Sequence, residues 1–430
     1  MQAIGIDIGT TSICGIAYDI ELRKIIKSIT QNSDAFIKTS HSWERIQSVE
    51  KIINTAQEIL DELISVETVS IGVTGQMHGM VYVDNKGSNL SNLYTWQDER
   101  GLLPYKDTTY AEFIGSPFGY ASVTDFYNSV NGIKPLCTSA YCTIQDFFVM
   151  KLCGLDKSTI HLTNAASFGK GALCNANITD DFVSAGEYMN IPVSVAIGDN
   201  QASVFSALRN EEDVLVNIGT GSQVSIVSKT AIEGENIESR PYFNGKYLVV
   251  GSALCGGRAY SMLKNFYEQI AEMFGINAHD TYTKMNNLII DKDFSSLKVD
   301  TRFAGTRRNP EIRGCIANIS MDNFNVKDLT YSVLYGMGNE LFDMYREMGV
   351  KRYGVVGSGN AIRMNPTLKN IVSKQFESDI KIPVFREEAA FGAALFSLVS
   401  TGRFSSASKV QQLIEYICCD NEPSKRNCEV

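Results

Sequence analysis

The sequence predicts an α/β protein whose two halves are built alike and flank a central cleft. Two segments of one design support this prediction: AIGIDIGTTSICGIAYDI opens the chain, and DVLVNIGTGSQVSIVS lies about halfway along it. In each, runs of small and β-branched residues flank a turn rich in Gly, Thr and Ser, which is typical of two antiparallel strands joined by a tight hairpin. At 430 residues the chain also exceeds the length that one hydrophobic core usually organises. We therefore expect two domains, with a ligand held between the duplicated units.

The first half is predicted to follow the order β-β-α-β. After the opening hairpin, residues 43–63 carry apolar side chains at helical spacing, and the apolar strand VSIGVTG follows them. Further on, IPVSVAIGDNQASVFSAL predicts a strand that ends at Gly198 and a helix that begins at Asp199 or Asn200. A carboxylate is thus expected at a strand end, facing the cleft.

The charged RNEED segment near residue 210 marks the predicted domain boundary, which gives a first domain of residues 1–209 and a second of residues 210–417. The second half contains an apolar strand (KYLVVGSAL), helices over about residues 260–274 and 329–348, a strand that ends in a glycine turn (YGVVGSGNA) and a final helix (AAFGAALFSLVSTG). The polar tail, residues 418–430, is expected to be disordered.

Charge and composition exclude several classes of protein. The net charge of −9 argues against nucleic acid or an anionic membrane as a partner, because either needs a basic face on the protein. The opening MQAIGIDIGT lacks the basic segment and long apolar run of a secretion signal, so the ten cysteines are expected to be reduced thiols of a cytoplasmic protein. No run reaches the roughly 18 apolar residues of a membrane span, and no CxxC pair with a His partner marks a zinc site. Small-molecule chemistry in a soluble protein fits best.

The two hairpin turns carry residues that suit phosphate binding. Gly, Thr and Ser expose backbone N–H groups and hydroxyls without side-chain bulk. Hairpin turns also favour these residues for conformational reasons alone, so a single turn is weak evidence and the duplicated pair is much stronger. The candidate residues are Gly9, Thr10, Thr11 and Ser12 in the first turn and Gly219, Thr220 and Gly221 in the second.

Two aspartates are candidates for the chemistry itself. Asp7 lies within the apolar strand IGIDIG, where a buried carboxylate needs a partner such as Mg²⁺ near nucleotide phosphates; the alternative is a carboxylate that caps its own turn. Asp199 could accept the proton of a sugar hydroxyl that attacks a γ-phosphate, because the proton is accepted late in a loose transition state and an ordinary Asp suffices. Its alternative role is a plain helix N-cap.

A third group of residues suits a polyol. GVTGQMHGMVYVD and LYTWQDERG offer amide, carboxylate, imidazole and indole groups, which can hydrogen-bond paired hydroxyls and cover a C–H face. The flanking glycines allow close backbone approach and favour ligand contact by the histidine, although a lone His is more often a satisfied structural group and the indole could equally be core. The candidates are Gln76, Met77, His78, Trp96 and Asp98.

The glycine turn in VVGSGNAIRMNP lets an adenosine lie against bare backbone. A dinucleotide loop is excluded because Ile362 occupies the third glycine position of GxGxxG. A Walker-type NTPase is disfavoured as well, because the chain has no GxxxxGK[ST] element. The candidates for adenosine contact are Gly357, Gly359 and Asn360.

Together these motifs resemble the FGGY family of carbohydrate kinases, in family order from Ile4 to about Leu398. DIGTTS and NIGTGS resemble the two phosphate motifs, GDNQAS the catalytic-aspartate segment and GSGNAIRMNP the adenosine loop. The resemblance implies two ribonuclease H-like domains of the actin and Hsp70 type, with ATP and Mg²⁺ as cofactors. It makes Asp199 the base and Asp7 the residue that organises Mg²⁺. Asn217 stands where the first half has Asp7, which suggests one such carboxylate.

The resemblance also assigns the remaining candidates to ligands. It assigns phosphate contacts to Gly219, Thr220 and Gly221, adenosine contacts to Gly357, Gly359 and Asn360, and sugar contacts to Gln76, Met77, His78 and Asp98.

Within the family, the segments TGQMHGMVYVD, LYTWQDERG, TIQDFFVMKLCG and HLTNAASFG are most similar to kinases of the seven-carbon ketose sedoheptulose, with xylulose kinases next. The implied reaction is phosphorylation of a terminal ketose hydroxyl. An actin-like sensor or assembly protein is the alternative from another class, but it has no reason to carry GDNQAS, GQMHG and WQDER. Sugar kinases of this kind often dimerise, so a homodimer and a monomer both stay open.

Overall fold

A computed structural model describes residues 1–169 and 175–417 of the chain. These residues form two compact units. The first comprises residues 1–209, 241–246 and 387–414, and the second comprises residues 210–240, 247–386 and the chain from residue 415. The predicted tail, residues 418–430, lies outside the described residues.

The described residues contain strands and helices in alternating groups along the chain. The strands are β1 Gln2–Ile8, β2 Ser12–Asp19, β3 Lys24–Asn32, β4 Ile46–Gln47, β5 Thr68–Gly75, β6 Val81–Val83, β7 Leu93–Tyr94, β8 Pro104–Tyr105, β9 Thr108–Thr109, β10 Ala140–Cys142, β11 Thr159–His161, β12 Asn177–Thr179, β13 Ser184–Tyr188, β14 Ile191–Ser194, β15 Ile197–Gly198, β16 Val214–Ile218, β17 Ser222–Ser228, β18 Ile237–Pro241, β19 Tyr247–Ala253, β20 Lys298–Val299, β21 Ile316–Ala317, β22 Val355–Ser358 and β23 Ile380–Lys381.

The α-helices are α1 Val49–Leu63, α2 Tyr110–Ile114, α3 Ala121–Val130, α4 Ile144–Leu152, α5 Leu162–Ala165, α6 Asp199–Ala207, α7 Gly257–Met273, α8 Thr281–Leu288, α9 Val326–Glu347, α10 Asn360–Met364, α11 Pro366–Gln375, α12 Glu388–Ser400 and α13 Ala407–Val410. Short 3-10 helices span Glu99–Leu102, Ala166–Phe168 and Gln411–Leu413. None of the helices in the described ranges is both long and apolar enough to cross a membrane.

The sheet of the first unit has the strand order β13-β14-β5-β1-β2-β3, and β15 also pairs with β5. The antiparallel pairing of β1 with β2 confirms the predicted opening hairpin. Strand β5 runs parallel to β1, so the end of β5 and the end of β1 reach the same edge of the sheet. Isoleucines of β1 pack with the apolar face of α1 in a buried core on one side of this sheet.

Helix α12 covers the other side of this sheet at unusually close range. A Cβ atom at Gly5 would lie 1.8 Å from the carbonyl oxygen of Ala390, and one at Gly72 would lie 1.9 Å from that of Ala393. Only glycine permits this approach, because the obstructing atoms belong to the helix backbone. The predicted final helix therefore exists, but it lies in the first unit and not with the residues that precede it in sequence.

The second unit repeats the central arrangement. Its sheet has the order β18-β19-β17-β16-β22-β23, in which β16 and β17 form the second predicted hairpin and β22 and β23 run parallel to β16 and to each other. Both sheets thus place three antiparallel strands beside parallel ones, as ribonuclease H-like domains do. Asn217 holds the register position in β16 that Asp7 holds in β1, and its Nδ2 donates to Ser358 Oγ at 2.6 Å.

The first long helix begins later than predicted. Helix α1 starts at Val49 rather than near residue 43, because the Ser48 side chain accepts a hydrogen bond from the backbone N–H of Lys51 and caps the helix there. The two residues before the cap instead form β4, which pairs with β7. Gln47 therefore lies in β4, where its side chain contacts the first hairpin turn.

Candidate active site

The first hairpin turn is hydrogen-bonded to the predicted sugar-binding segments. The Thr10 carbonyl accepts from Gln47 Nε2 at 2.6 Å, and Gln76 Nε2 donates to Gln47 Oε1 at 3.0 Å. The Thr10 hydroxyl lies 3.3 Å from Gln76 Oε1 and accepts from the indole N–H of Trp96 at 3.0 Å. The structure therefore brings Thr10, Gln76 and Trp96 together, and Trp96 keeps 45% of its surface exposed beside the turn.

Asp7 and Asp199 form an electrostatically coupled pair in the first unit. Burial raises the pKa of Asp7 to about 7, with a further contribution from the negative charge of Asp199. Asp199 is the first residue of α6, and its Oδ1 accepts the backbone N–H of Asn200 at 2.6 Å. The helix is capped by Gly198 without a side-chain bond, so Asp199 is not the N-cap.

The surroundings of Asp7 fit a divalent cation. Its Oδ1 is buried without a hydrogen-bond partner, a state that is costly for a carboxylate unless a cation balances it. Within the described ranges, no group of three or more His, Cys, Asp or Glu side chains converges on a point. Mg²⁺ needs no such cage, because it binds through one or two carboxylates and completes its shell with water and substrate phosphates.

The loop that follows β5 carries Met77 and His78 and packs against the strand that leads to Asp199. The sulfur of Met77 would lie 2.8 Å from a Cβ atom at Gly198, so the two segments touch at this glycine. His78 has a positive φ of 72°, and its Nδ1 lies 2.9 Å from the carbonyl oxygen of Ser167. Its ring stacks on Tyr120 with centroids 4.1 Å apart. Since a carbonyl only accepts, Nδ1 carries a proton and donates to this oxygen.

Asp98 differs from the other predicted sugar ligands. Its side chain is fully buried, and its two oxygens accept from the guanidinium and backbone of Arg100 and from the backbone N–H of Arg45. Arg100 in turn lies over the ring of Tyr94, 4.4 Å from its centroid. These bonds use the acceptor capacity of the carboxylate, so Asp98 holds its loop together, and the structure does not support direct sugar contact.

The second unit contains a cavity of about 720 Å³ next to the second hairpin turn. Gly219, Thr220 and Asn360 of the predicted nucleotide residues line it, whereas Gly221, Gly357 and Gly359 do not. Gly359 caps α10 with a φ of 84°, and a Cβ there would lie 2.5 Å from the carbonyl oxygen of Ile218. This glycine therefore lets the N-terminus of α10 approach the end of β16.

The remaining wall of this cavity contains residues that the sequence analysis did not identify. Burial raises the pKa of Tyr260, and its hydroxyl donates to Asn286 Oδ1 at 2.8 Å. Asn365 Nδ2 donates to the same oxygen at 2.9 Å, and Tyr282 stacks on Tyr260 with centroids 5.8 Å apart. Leu334 and Met337 of α9 add apolar surface. Flat apolar walls with a few fixed amides suit a planar heterocycle such as a nucleobase.

One local signal could have found part of this wall. A double glycine, Gly256-Gly257, stands at the start of α7, and Gly256 has a φ of 44°. A Cβ at Gly256 would lie 2.5 Å from the carbonyl carbon of Gly221, so this pair marks close packing against the second hairpin turn. Asn286 and Met337 carry no comparable signal.

Comparison with known proteins identifies the class. Residues 2–103 match the family model described as the N-terminal domain of the FGGY family of carbohydrate kinases. The predicted resemblance to this family is confirmed over this part of the chain, and the protein is a sugar kinase similar to those of the FGGY type. The alternative of an actin-like sensor or assembly protein is set aside.

Among its relatives, the sedoheptulokinase of Mus musculus is 26% identical and that of Homo sapiens 25% identical, each aligned over 92% of this chain and 97% of the relative. A xylulose kinase of Staphylococcus epidermidis is 31% identical over only 23% of this chain. The solved xylulose kinase of Rhodospirillum rubrum superimposes with a TM-score of 0.82 at 16% identity, covering 99% of this chain and 95% of that one. The gluconate kinase of Lactobacillus acidophilus gives a TM-score of 0.81 at 16% identity, covering 97% and 92%. The predicted ribonuclease H-like fold is thus confirmed.

Proposed function

We propose that this protein is an ATP-dependent ketose kinase, which converts sedoheptulose to sedoheptulose 7-phosphate. The observation that carries the proposal is the coupled pair of Asp7 and Asp199 beside a loop whose Gln76 and His78 suit a polyol. The choice of a seven-carbon ketose rests on the similarity to sedoheptulokinases over nearly their whole length.

Asp199 is the proposed general base. The terminal hydroxyl oxygen of the sugar attacks the γ-phosphorus of ATP, the bond from that phosphorus to the β-γ bridging oxygen breaks, and the hydroxyl proton passes to the Asp199 carboxylate. In a loose transition state this proton moves late, so the base needs position more than high basicity. The products are ADP and the sugar phosphate.

Asp7 and the hairpin turns are the proposed phosphate site. A bound Mg²⁺ would supply positive charge to balance that of the phosphate oxygens. Asp7 would hold this ion through the oxygen that lacks a hydrogen-bond partner. In the first unit, the backbone N–H groups of residues 9–11 would bind phosphate oxygens. In the second unit, Thr220 and Gly221 would offer their backbone N–H groups, since that of Gly219 donates to the Gly221 carbonyl at 2.9 Å, and the cavity that Asn360 lines would take the adenosine.

The sugar contacts follow from the donor and acceptor groups of the loop. The imidazole of His78 would hydrogen-bond a sugar hydroxyl, in an orientation that the bond from Nδ1 to the Ser167 carbonyl holds in place. Gln76 offers an amide beside the first turn, and the exposed face of Trp96 would cover the C–H face of the sugar. Met77 supplies an apolar side chain at the base of this loop.

The deciding experiment measures ADP release by the purified protein with Mg²⁺-ATP against sedoheptulose, xylulose, ribulose, gluconate, glycerol and no sugar. A preference for sedoheptulose with low background hydrolysis is expected. Preference for xylulose, the second candidate, or for gluconate would keep the kinase and replace the substrate. No stimulation by any of these compounds would contradict the proposal. The cytoplasmic location and the domain limits stay predictions, and a homodimer stays open.

A further inference from the structure

One buried segment of the first unit has no part in the function proposed so far. We call residues 161–168, with the sequence HLTNAASF, the bridging segment; it contains the end of β11, helix α5 and a 3-10 turn. Thr163, Asn164 and Ser167 are between 0% and 4% exposed, so they cannot contact a ligand from solvent. Their polar groups must therefore act on other parts of the protein.

On one side, the bridging segment holds the strand that leads to Asp199. The Thr163 hydroxyl accepts the backbone N–H of Gly198, the residue before Asp199, at 3.1 Å. The same hydroxyl lies 2.9 Å from His161 Nδ1, which accepts the backbone N–H of Thr163 and so receives the hydroxyl proton too. Asn164 Nδ2 donates to the carbonyl oxygen of Ala196 at 3.2 Å. Two bonds thus fix the backbone directly before the proposed base.

On the other side, it holds the loop of Gln76, Met77 and His78. The Ser167 carbonyl accepts from His78 Nδ1 at 2.9 Å, and its hydroxyl accepts the His78 backbone N–H at 3.2 Å. That hydroxyl donates to the Asn164 carbonyl at 2.6 Å. Gln145 Nε2 donates both to the carbonyl of Gly75, where the loop begins, at 3.2 Å and to Asn164 Oδ1 at 3.1 Å.

The orientation of the Asn164 amide is itself fixed. Its Nδ2 also donates to Asp146 Oδ1 at 3.1 Å, and Asp146 Oδ2 accepts from Thr143 at 2.6 Å. The two N–H groups of Asn164 therefore serve Asp146 and Ala196, while its oxygen serves Gln145. No group in this set could turn without breaking a buried hydrogen bond.

We propose that the bridging segment is a positioning element that locks His78 and Asp199 at one fixed separation, with Thr163 and Asn164 as its principal residues. The effect of this positioning on the reaction rate depends on the function proposed above. The structural coupling between the two loops does not depend on it. A base that works by position is sensitive to such a lock, because a displacement of about 1 Å can cost roughly a hundredfold in rate.

The first test measures hydrogen exchange and needs no activity. Thr163→Val keeps the shape of the side chain and removes the hydroxyl, whereas Thr163→Ser keeps the hydroxyl and is the matched control. Thr163→Val should speed exchange about five- to tenfold in peptides spanning residues 196–200 and also in those spanning 76–80, and Thr163→Ser should leave both unchanged. Faster exchange at 196–200 alone, or in neither peptide, would overturn the coupling.

The second test measures kinetics on folded protein. Thr163→Val should lower kcat about tenfold or more with the KM for ATP unchanged, and Thr163→Ser should stay within about twofold of the parent enzyme. A purely structural role would lower the rates of both variants in proportion to their unfolded fractions, measured by circular dichroism. If the parent protein phosphorylates no sugar, the proposed function fails while the exchange result still decides the coupling.

Discussion

Asp7 and Asp199 show how the same side chain acquires two tasks from its surroundings. Asp7 is enclosed in a strand with one oxygen that lacks a hydrogen-bond partner, while Asp199 stands at the start of a helix with its Oδ1 on a backbone N–H. The first environment makes the ionised form costly and calls for a cation, and the second holds one carboxylate oxygen in a fixed position. Their proximity couples the two charges.

Replacement of Asp199 tests the proposed base. Asp199→Asn should lower kcat by about 10²- to 10⁴-fold and leave ATP affinity intact, because the amide cannot accept the hydroxyl proton. Steady-state kinetics and nucleotide titration measure the two effects. Asp181→Asn removes a charge from an exposed position of the same unit and should behave as the parent. Normal turnover by Asp199→Asn would remove Asp199 from this role.

Replacement of Asp7 should stabilise the protein while it abolishes activity. With a pKa of about 7 in the folded state and 3.8 as the reference for the unfolded chain, Asp7 makes the fold progressively less stable as the pH rises from about 4 to 7. Asp7→Asn should therefore raise the unfolding temperature by several degrees at pH 8, without Mg²⁺ or nucleotide. The gain should shrink towards pH 4. A gain of equal size at both pH values would mean that no buried charge is involved.

At the scale of elements, the sequence was informative where a signal is local. Both hairpins, the strand into Gly198 and the helix at Asp199 follow from short patterns, and the structure confirms them. The start of α1 was placed too early because apolar spacing does not reveal the Ser48 cap. The bonds of Asp98 to Arg100 and Arg45 depend on loop geometry, so the sequence does not reveal that they occupy its carboxylate.

Contacts between distant elements were beyond sequence reasoning. The cavity of the second unit combines α7, α8, α9 and α10, and no sequence pattern indicates that Asn286 of α8 and Met337 of α9 line it. The position of α12 in the first unit depends on how closely Gly5 and Gly72 admit a helix backbone, which no spacing in the chain encodes. In both cases the missing information is three-dimensional packing.

The cavity wall yields a prediction for nucleotide affinity. Tyr260→Phe removes the hydroxyl that holds Asn286 and should raise the KM for ATP about fivefold without changing the KM for the sugar. Tyr267→Phe is the control, because Tyr267 lies on the same helix and bonds Thr330 outside the cavity wall. Equal effects of both variants would point to general loosening of α7.

The contact of α12 with the sheet predicts a strong packing effect. Gly72→Ala places a methyl group against the helix backbone and should lower the unfolding temperature by about 3–10 °C, as overpacking does. At Gly221 the nearest atom to an added Cβ lies 3.7 Å away, so Gly221→Ala should leave the unfolding temperature unchanged. Calorimetry on both variants measures the difference. An unchanged transition for Gly72→Ala would show that α12 can move outward at little cost.

At the scale of the whole molecule, the two units share the order of their central strands but differ in one residue of the central hairpin. Asp7 of β1 corresponds to Asn217 of β16, whose amide donates a hydrogen bond to Ser358 and carries no charge. Both units therefore have the same central strands and a Gly-rich turn, while only the first unit has the carboxylate. This asymmetry agrees with a single proposed cation site.

The return of residues 387–414 to the first unit sets the order in which the protein can be completed. A ribosome releases β1 and β5 hundreds of residues before α12, so the nascent chain carries an uncovered sheet face at Gly5 and Gly72 throughout synthesis of the second unit. The unit that begins first is therefore completed only after most of the second unit has been made. During that interval its exposed apolar surface is a target for chaperones, and a stop codon before residue 387 would damage the half of the molecule that had already been made.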